Sequence, residues 1–141
     1  MADALYLDTS AVLRALLETG TTPEVERRIR EASILITSRL SRVETARALI
    51  RAEQLNEIPA SGVNELRREV EELWARCEVW ELSPAVCAMA ERITPQPLLR
   101  TLDALHLATY VMAQREIPTL ELLTEDRRLA EALESLSGGE R

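Results

Sequence analysis

Residues 4–18 have the sequence ALYLDTSAVLRALLE, in which a short apolar run ends at Asp8 and a helical pattern follows. The run 4–8 has the length and the apolar content of a buried strand. Between residues 10 and 18 the apolar side chains recur at the spacing of one helix face. The segment therefore predicts a strand that leads almost directly into a helix, with an acidic residue at the end of the strand.

The same alternation continues along the rest of the chain. Further strands are predicted at 34–38, 78–82 and 119–123, and further helices at 22–31, 41–54, 61–76, 84–93, 101–115 and 126–136. Strands that are separated by helices pair in parallel through crossover connections. The sequence therefore predicts an α/β fold, a three-layer sandwich with a central, mainly parallel sheet of four or five strands flanked by helices.

Length and composition indicate one globular domain. The chain has 141 residues, of which 46% are apolar and 29% are charged. We predict a single domain over residues 1–141, with 137–141 as a frayed tail. No apolar run approaches the roughly 18 residues of a membrane span, and the N-terminus has neither the basic start nor the apolar core of a signal peptide. The expected location is the cytoplasm, with no membrane contact.

Several kinds of chemistry are excluded by residues that the chain lacks. All 17 basic residues are arginine, and without lysine there is no Walker-type phosphate loop and no Schiff-base chemistry. The four glycines form no dinucleotide-binding G-x-G-x-x-G motif. A single histidine cannot build a histidine-rich metal site. Acid–base or metal chemistry in this chain must therefore use carboxylates.

Four acidic residues lie where predicted strands end or predicted helices begin. Asp8 ends the first strand and Asp126 follows the fourth, whereas Glu44 and Asp103 lie in the first turns of two predicted helices. In open parallel sheets, ligands bind beyond the C-terminal ends of the strands. We therefore expect several of these carboxylates to share one edge of the sheet.

Each of these acids also has a simpler explanation when it is considered alone. Carboxylates near helix N-termini are stabilised by about 0.3–1 kcal/mol through the helix dipole, and Ser41 and Glu44 have the spacing of a capping box. Together, however, carboxylates in one cleft raise one another's pKa and are unfavourable without a cation. Oxygen-only ligands suit Mg²⁺ or Mn²⁺, and such a site can activate water and stabilise a phosphodiester transition state.

Four segments of the chain carry a resemblance to a known family. They are YLDTSA at 6–11, SRLSRVE at 38–44, LRTLDALHLA at 99–108 and LTEDRRL at 123–129. The order and spacing of these segments cover nearly the whole chain, and the segment that contains LDALHLA is the most specific of the four. By these segments the chain resembles PIN-domain ribonucleases, and in particular the VapC-like toxins of type II toxin–antitoxin modules.

The resemblance implies an endoribonuclease whose acidic site consists of Asp8, Glu44, Asp103 and Asp126. Asp8 and Asp103 would be the main Mg²⁺ ligands, and Thr9 and Thr124 would position ligands or a water molecule. The expected partners are an RNA substrate, a cognate antitoxin protein that covers the site, and a second copy in a homodimer. Family members often end in a short edge strand, which residues 134–141 do not predict.

The net charge of −7 is unusual for a protein that binds nucleic acid. We expect arginines near the site, Arg100 among them, to hold the RNA backbone and so to offset part of this charge.

His106 lies three positions after Asp103, where it can touch that acid or pack in the core. Trp74 and Trp80 lie among apolar residues and are expected in core or dimer packing.

Two other functions compete with a ribonuclease. A catalytically silent module of the same fold could bind protein or RNA, although the presence of all four acids argues against it. An aspartyl phosphatase or a response-regulator receiver also places an aspartate after its first strand. Both need a lysine, which is absent, and the phosphatase needs a second aspartate where this chain has Ser10.

Overall fold

The computed structural model describes residues 3–138, which form four strands and seven helices. The elements are β1 Ala4–Leu7, α1 Thr9–Leu16, α2 Pro23–Glu31, β2 Ile34–Ser38, α3 Arg39–Gln54, α4 Ala60–Arg76, β3 Cys77–Trp80, α5 Pro84–Arg92, α6 Thr101–Glu116, β4 Glu121–Leu123 and α7 Arg127–Gly138. The predicted number and order of elements are confirmed throughout this part of the chain.

All strand pairs are parallel, and the strand order is β3-β2-β1-β4. Strand β1 pairs with β2 on one side and with β4 on the other. All four of its residues are buried, which explains why it is continuously apolar instead of alternating with polar residues. The chain changes direction across the sheet between β1 and β4, and this is where open α/β sheets bind their ligands.

Helices cover both faces of the sheet. Successive strand residues point to opposite faces, and Leu5 and Leu7 pack with residues of α1, α2 and α4 on one side. On the other side Ala4 and Tyr6 pack with Tyr110 of α6. Helices α6 and α7 share a further cluster on that side. The predicted three-layer α/β sandwich is therefore confirmed, with four strands in its sheet.

Two predicted element boundaries at the C-terminal edge of the sheet are wrong for the same reason, which is helix capping. Strand β1 ends at Leu7 because Asp8 is the N-cap of α1 and accepts a hydrogen bond from the backbone amide of Ala11. Helix α3 begins at Arg39 because the hydroxyl of Ser38 caps it. The capping box predicted for Ser41 and Glu44 is therefore incorrect.

The end of the chain also differs from the prediction. Helix α7 continues to Gly138, so residues 137 and 138 belong to the helix and not to a frayed tail. Residues 139–141 lie outside the described part of the chain. None of the helices in residues 3–138 is long and apolar enough to cross a membrane, and the cytoplasmic location stays a prediction.

Candidate active site

Asp8 lies at the C-terminal end of β1 with only 4% of its surface exposed. Its Oδ1 accepts hydrogen bonds from the hydroxyl of Ser10 at 2.7 Å and from the amide of Ala11 at 3.0 Å. Its Oδ2 accepts from the hydroxyl of Thr124 at 2.5 Å. Burial raises the pKa of Asp8 above its usual value, although these three donors stabilise the charged form and oppose the shift.

Thr124 connects the ends of β1 and β4. Its hydroxyl lies 3.2 Å from the hydroxyl of Ser10 and accepts a bond of 2.9 Å from the amide of Asp126. The carboxylate of Asp126 in turn caps α7, because its Oδ1 accepts from the amide of Arg128 at 2.9 Å. Thr124 thus orients the carboxylate of Asp8, while its role in positioning a metal ligand or a water stays a prediction, and Asp126 has the capping role that the simpler interpretation expected.

Asp103 is partly exposed in the first turn of α6. Its pKa is raised, first by partial burial and then by the negative charges of Asp126, Glu44 and Asp8, whereas His106 acts in the opposite direction. No hydrogen bond from the described residues is among the influences on its pKa. The structure thus brings all four predicted acids within electrostatic range of one another, and the net effect on Asp103 is a raised pKa.

Glu44 projects from the second turn of α3 towards the end of β1. Its Oε1 accepts a hydrogen bond of 2.7 Å from the hydroxyl of Thr9 and lies 2.7 Å from Nε2 of His106. Burial alone would raise the pKa of Glu44. The hydrogen bonds from His106 and Thr9 outweigh it, so the pKa of this carboxyl is lowered and its charged form is favoured.

His106 is buried, with 3% of its surface exposed. Its Nδ1 lies 3.0 Å from the hydroxyl of Tyr6 on β1, and its Nε2 faces Glu44 and Thr9. The expectation that it packs in the core is confirmed, but its hydrogen-bond partner in the site is Glu44 and not Asp103.

Two residues of the site, Ser10 and Tyr6, were missed by the sequence analysis. Ser10 bonds Asp8 and also accepts from the amide of Glu125 at 2.9 Å, and its only sequence signal is its place as a second hydroxyl after the acid. Tyr6 had no such signal, because its partner His106 is 100 positions away in the chain. Arg100 is an exposed residue at the N-cap of α6.

The tryptophans lie away from the acids. Trp74 belongs to the core on the α4 side of the sheet, and Trp80 packs on the opposite face beside Ile36 and Tyr110. Their predicted role in core packing is confirmed.

The side chains of the site can be compared with the ligands that a divalent cation requires. Among residues 3–138 no group of three or more histidine, cysteine, aspartate or glutamate side chains is arranged to hold a metal ion. Mg²⁺, however, commonly binds one or two carboxylates and keeps several of its waters. Asp103 is repelled by three negative charges and accepts no hydrogen bond from the described residues, so it fits such a ligand. The site therefore suits a hard cation with few direct protein ligands and is not a preformed cage.

Comparisons with known proteins agree with this geometry. The family model of the PIN domain matches residues 5–134. Ribonuclease VapC35 of Mycobacterium tuberculosis is 35% identical over 135 residues, which cover 94% of this chain and 92% of that protein.

Solved structures show the same fold at lower sequence identity. PAE2754 from Pyrobaculum aerophilum superposes with a TM-score of 0.59 at 20% identity, covering 96% of this chain and 88% of that one. VapBC2 from Rickettsia felis, solved with a DNA fragment from its promoter, gives a TM-score of 0.58 at 11% identity, with coverages of 87% and 99%. The chain therefore belongs to the PIN domain family and is a homologue of the VapC ribonucleases.

Proposed function

We propose that this protein is a Mg²⁺- or Mn²⁺-dependent endoribonuclease that acts as the toxin of a toxin–antitoxin module. The observation that carries the proposal is the set of four carboxylates at the switch point of the sheet, three of which raise the pKa of Asp103 through their negative charges. A protein gains nothing in stability from such repulsion, and a hard divalent cation relieves it. The family relationship to a named ribonuclease supports the same conclusion.

The residues of the site divide into proposed metal ligands and residues that orient those ligands. Asp8 and Asp103 are the proposed main ligands of the cation, and Ser10 and Thr124 fix the orientation of Asp8 through hydrogen bonds. The bound cation supplies stabilisation of the phosphate charge and makes water a better nucleophile at neutral pH.

Glu44 and Asp126 are proposed to hold a second ion or to orient the attacking water. In the protein alone, Glu44 is fixed by the hydroxyl of Thr9, and Asp126 is fixed as the cap of α7. Both carboxylates are therefore held in place before any substrate binds, Glu44 by α1 and Asp126 by α7, which reduces the reorganisation that the reaction requires.

Arginines beside the acids are proposed to bind the RNA backbone. Arg100 is exposed at the start of α6, and Arg47 lines a surface groove together with Glu44 and Leu102. Guanidinium groups bind phosphates through two parallel hydrogen bonds. A local group of this kind lets a chain with a net charge of −7 bind a polyanion.

An antitoxin and a second copy of the chain are the proposed protein partners. Helix α4 borders one groove that it shares with α3, and another that it shares with α1 and α2. Grooves between helices accept an amphipathic helix, which supports antitoxin binding on this side.

Val43 is 55% exposed and Leu102 is 48% exposed beside the groove that Glu44 and Arg47 line. These apolar side chains support a homodimer that forms at the edge of that groove.

The test is cleavage of RNA by the purified protein without antitoxin. EDTA should abolish cleavage, and Mg²⁺ or Mn²⁺ should restore it. Asp103→Ala should remove activity, whereas Asp3→Ala serves as the matched control, because Asp3 forms its ion pair with Arg28 and precedes β1 at the opposite end from the site. Cleavage that persists in EDTA, or in Asp103→Ala, contradicts the proposal. RNA or antitoxin binding without any cleavage favours the silent binding module.

A further inference from the structure

We infer that His106 is a positioning residue of the acidic site, which holds Glu44 by one carboxylate oxygen so that the other oxygen remains available to the cation. The inference rests on the proposed function and adds a residue to it. His106 would contact neither the cation nor the RNA. It acts through its hydrogen bond to Glu44.

The imidazole is held at both of its nitrogens. Nε2 lies 2.7 Å from Oε1 of Glu44, and Nδ1 lies 3.0 Å from the hydroxyl of Tyr6. The rings of Tyr6 and His106 meet edge to face, with their centroids 6.2 Å apart. Because Tyr6 is completely buried in β1, an inner strand of the sheet, the ring of His106 is anchored to the core of the sheet.

The direction of the hydrogen bond to Glu44 follows from the two partners. A carboxylate only accepts hydrogen bonds, and Oε1 of Glu44 already accepts one from the hydroxyl of Thr9. Nε2 must therefore carry a hydrogen and donate it. The hydroxyl of Tyr6 can either donate to Nδ1 or accept from it, so the contact with Glu44 is made whether the imidazole is neutral or charged.

This contact determines which oxygen of Glu44 is free. Oε1 takes both the bond from His106 and the bond from Thr9. Oε2 makes no hydrogen bond to any residue in the described part of the chain. A glutamate that lost His106 would keep one donor and gain rotational freedom. Partners that orient a metal ligand in this way typically change metal affinity or activity by about 10–100-fold when they are removed.

The first test is calorimetric titration of the full chain with Mn²⁺. His106→Leu should weaken Mn²⁺ binding by about 10–100-fold, and His106→Gln should recover part of the loss because its amide can donate. Tyr110→Phe is the matched control, since it removes another buried hydroxyl, one that bonds the carbonyl of Leu120 at 2.9 Å. Its Mn²⁺ affinity should equal that of the wild type.

Dependence on Glu44 separates positioning from general support of the fold. If His106 acts through Glu44, adding His106→Leu to Glu44→Ala should weaken Mn²⁺ binding no further. Additive losses, or unchanged binding in His106→Leu, overturn the inference while the proposed function stands. A wild-type protein that neither binds Mn²⁺ nor cleaves RNA overturns the proposed function instead.

The second test needs no active protein. His106 is the only histidine of the chain, so labelling with ¹⁵N-histidine gives the nuclear magnetic resonance signals of one imidazole. We expect Nε2 to be protonated, with a slowly exchanging hydrogen whose signal disappears or shifts in Glu44→Ala and persists in Tyr110→Phe. An unprotonated Nε2, or a signal that Glu44→Ala leaves unchanged, overturns the inference even if His106→Leu fails to fold.

Discussion

The hydroxyl of Thr124 donates a hydrogen bond of 2.5 Å to Oδ2 of Asp8, and this bond joins the ends of two neighbouring parallel strands. Thr124→Val keeps the shape of the side chain but removes this donor from a buried carboxylate. Hydrogen bonds to charged groups contribute about 1.5–3 kcal/mol, and the free energy of unfolding in urea should fall by about that amount at neutral pH.

The control for this prediction is Thr19→Val, because Thr19 is exposed and its hydroxyl bonds backbone carbonyls of its own helix end. Its stability should change by no more than about 0.5 kcal/mol. Equal free energies of unfolding for Thr124→Val and the wild type would show that the hydrogen bond to Asp8 makes no net contribution to stability.

Asp103→Asn should stabilise the metal-free protein at neutral pH. The folded-state pKa of Asp103 lies above its ordinary value of 3.8, mainly through burial and then through Asp126, Glu44 and Asp8. Asp103 therefore ionises less readily in the folded state, and its ionisation lowers the free energy of unfolding. This loss of stability is absent below the unfolded pKa. It grows as the pH rises to the folded pKa and is complete above it.

The gain should be no more than about 1 kcal/mol, since Asp103 is partly exposed and water screens the repulsion. Urea unfolding with EDTA present, at pH 7 and again below pH 3.8, measures it, and the difference between variant and wild type should vanish at the lower pH. A variant that is less stable than the wild type at pH 7 would mean that the carboxylate of Asp103 is stabilised in a way that the fold does not explain.

Asp8 and Asp103 should act as one unit in cleavage. Asp8→Ala should reduce the rate of RNA cleavage by orders of magnitude, and each factor of ten corresponds to about 1.4 kcal/mol of barrier. Adding Asp103→Ala should then cost little more, because residues that serve one step are strongly non-additive. The measurement is kcat/KM for the two single variants and the double variant, and fully multiplicative losses would argue for two independent roles.

The protein should be a homodimer at micromolar concentration. The exposed side chains of Val43 and Leu102 form the proposed contact, and replacing both by glutamate should shift the dimer to a monomer in light scattering. Leu55→Glu is the control, since Leu55 is also exposed but lies at the far end of α3. A wild-type chain that stays monomeric throughout this range would contradict the prediction.

The sequence predicted the parts of the fold that depend on local pattern. Strand β1 was evident because all of its residues are apolar and buried, and the acids were found because each one lies beside a strand end or a helix start. The cap of α3 was misplaced because Ser38 and Ser41 offer the same hydroxyl, and only the packing of β2 decides which of them caps the helix.

The partners of His106 could not be predicted for a different reason. Position 106 shares a helix face with Asp103, which suggested contact between the two. The bonds of His106 instead go to residues that are 62 and 100 positions away in the chain. Such contacts depend on how α6 lies across β1 and α3, and no spacing within a single helix carries that information.

Asp8 is both the N-cap of α1 and a proposed ligand, whereas Asp103 is a proposed ligand that caps no helix. The two inactive variants, Asp8→Ala and Asp103→Ala, should therefore differ in abundance inside a cell. Asp8→Ala loses a cap worth about 0.5–2 kcal/mol, and a chain of marginal stability is then removed more quickly by proteases. Under the proposed function, Asp103→Ala should persist as a folded protein that still binds antitoxin. An inactivating mutation would then decide how much antitoxin is left free, as well as whether RNA is cut.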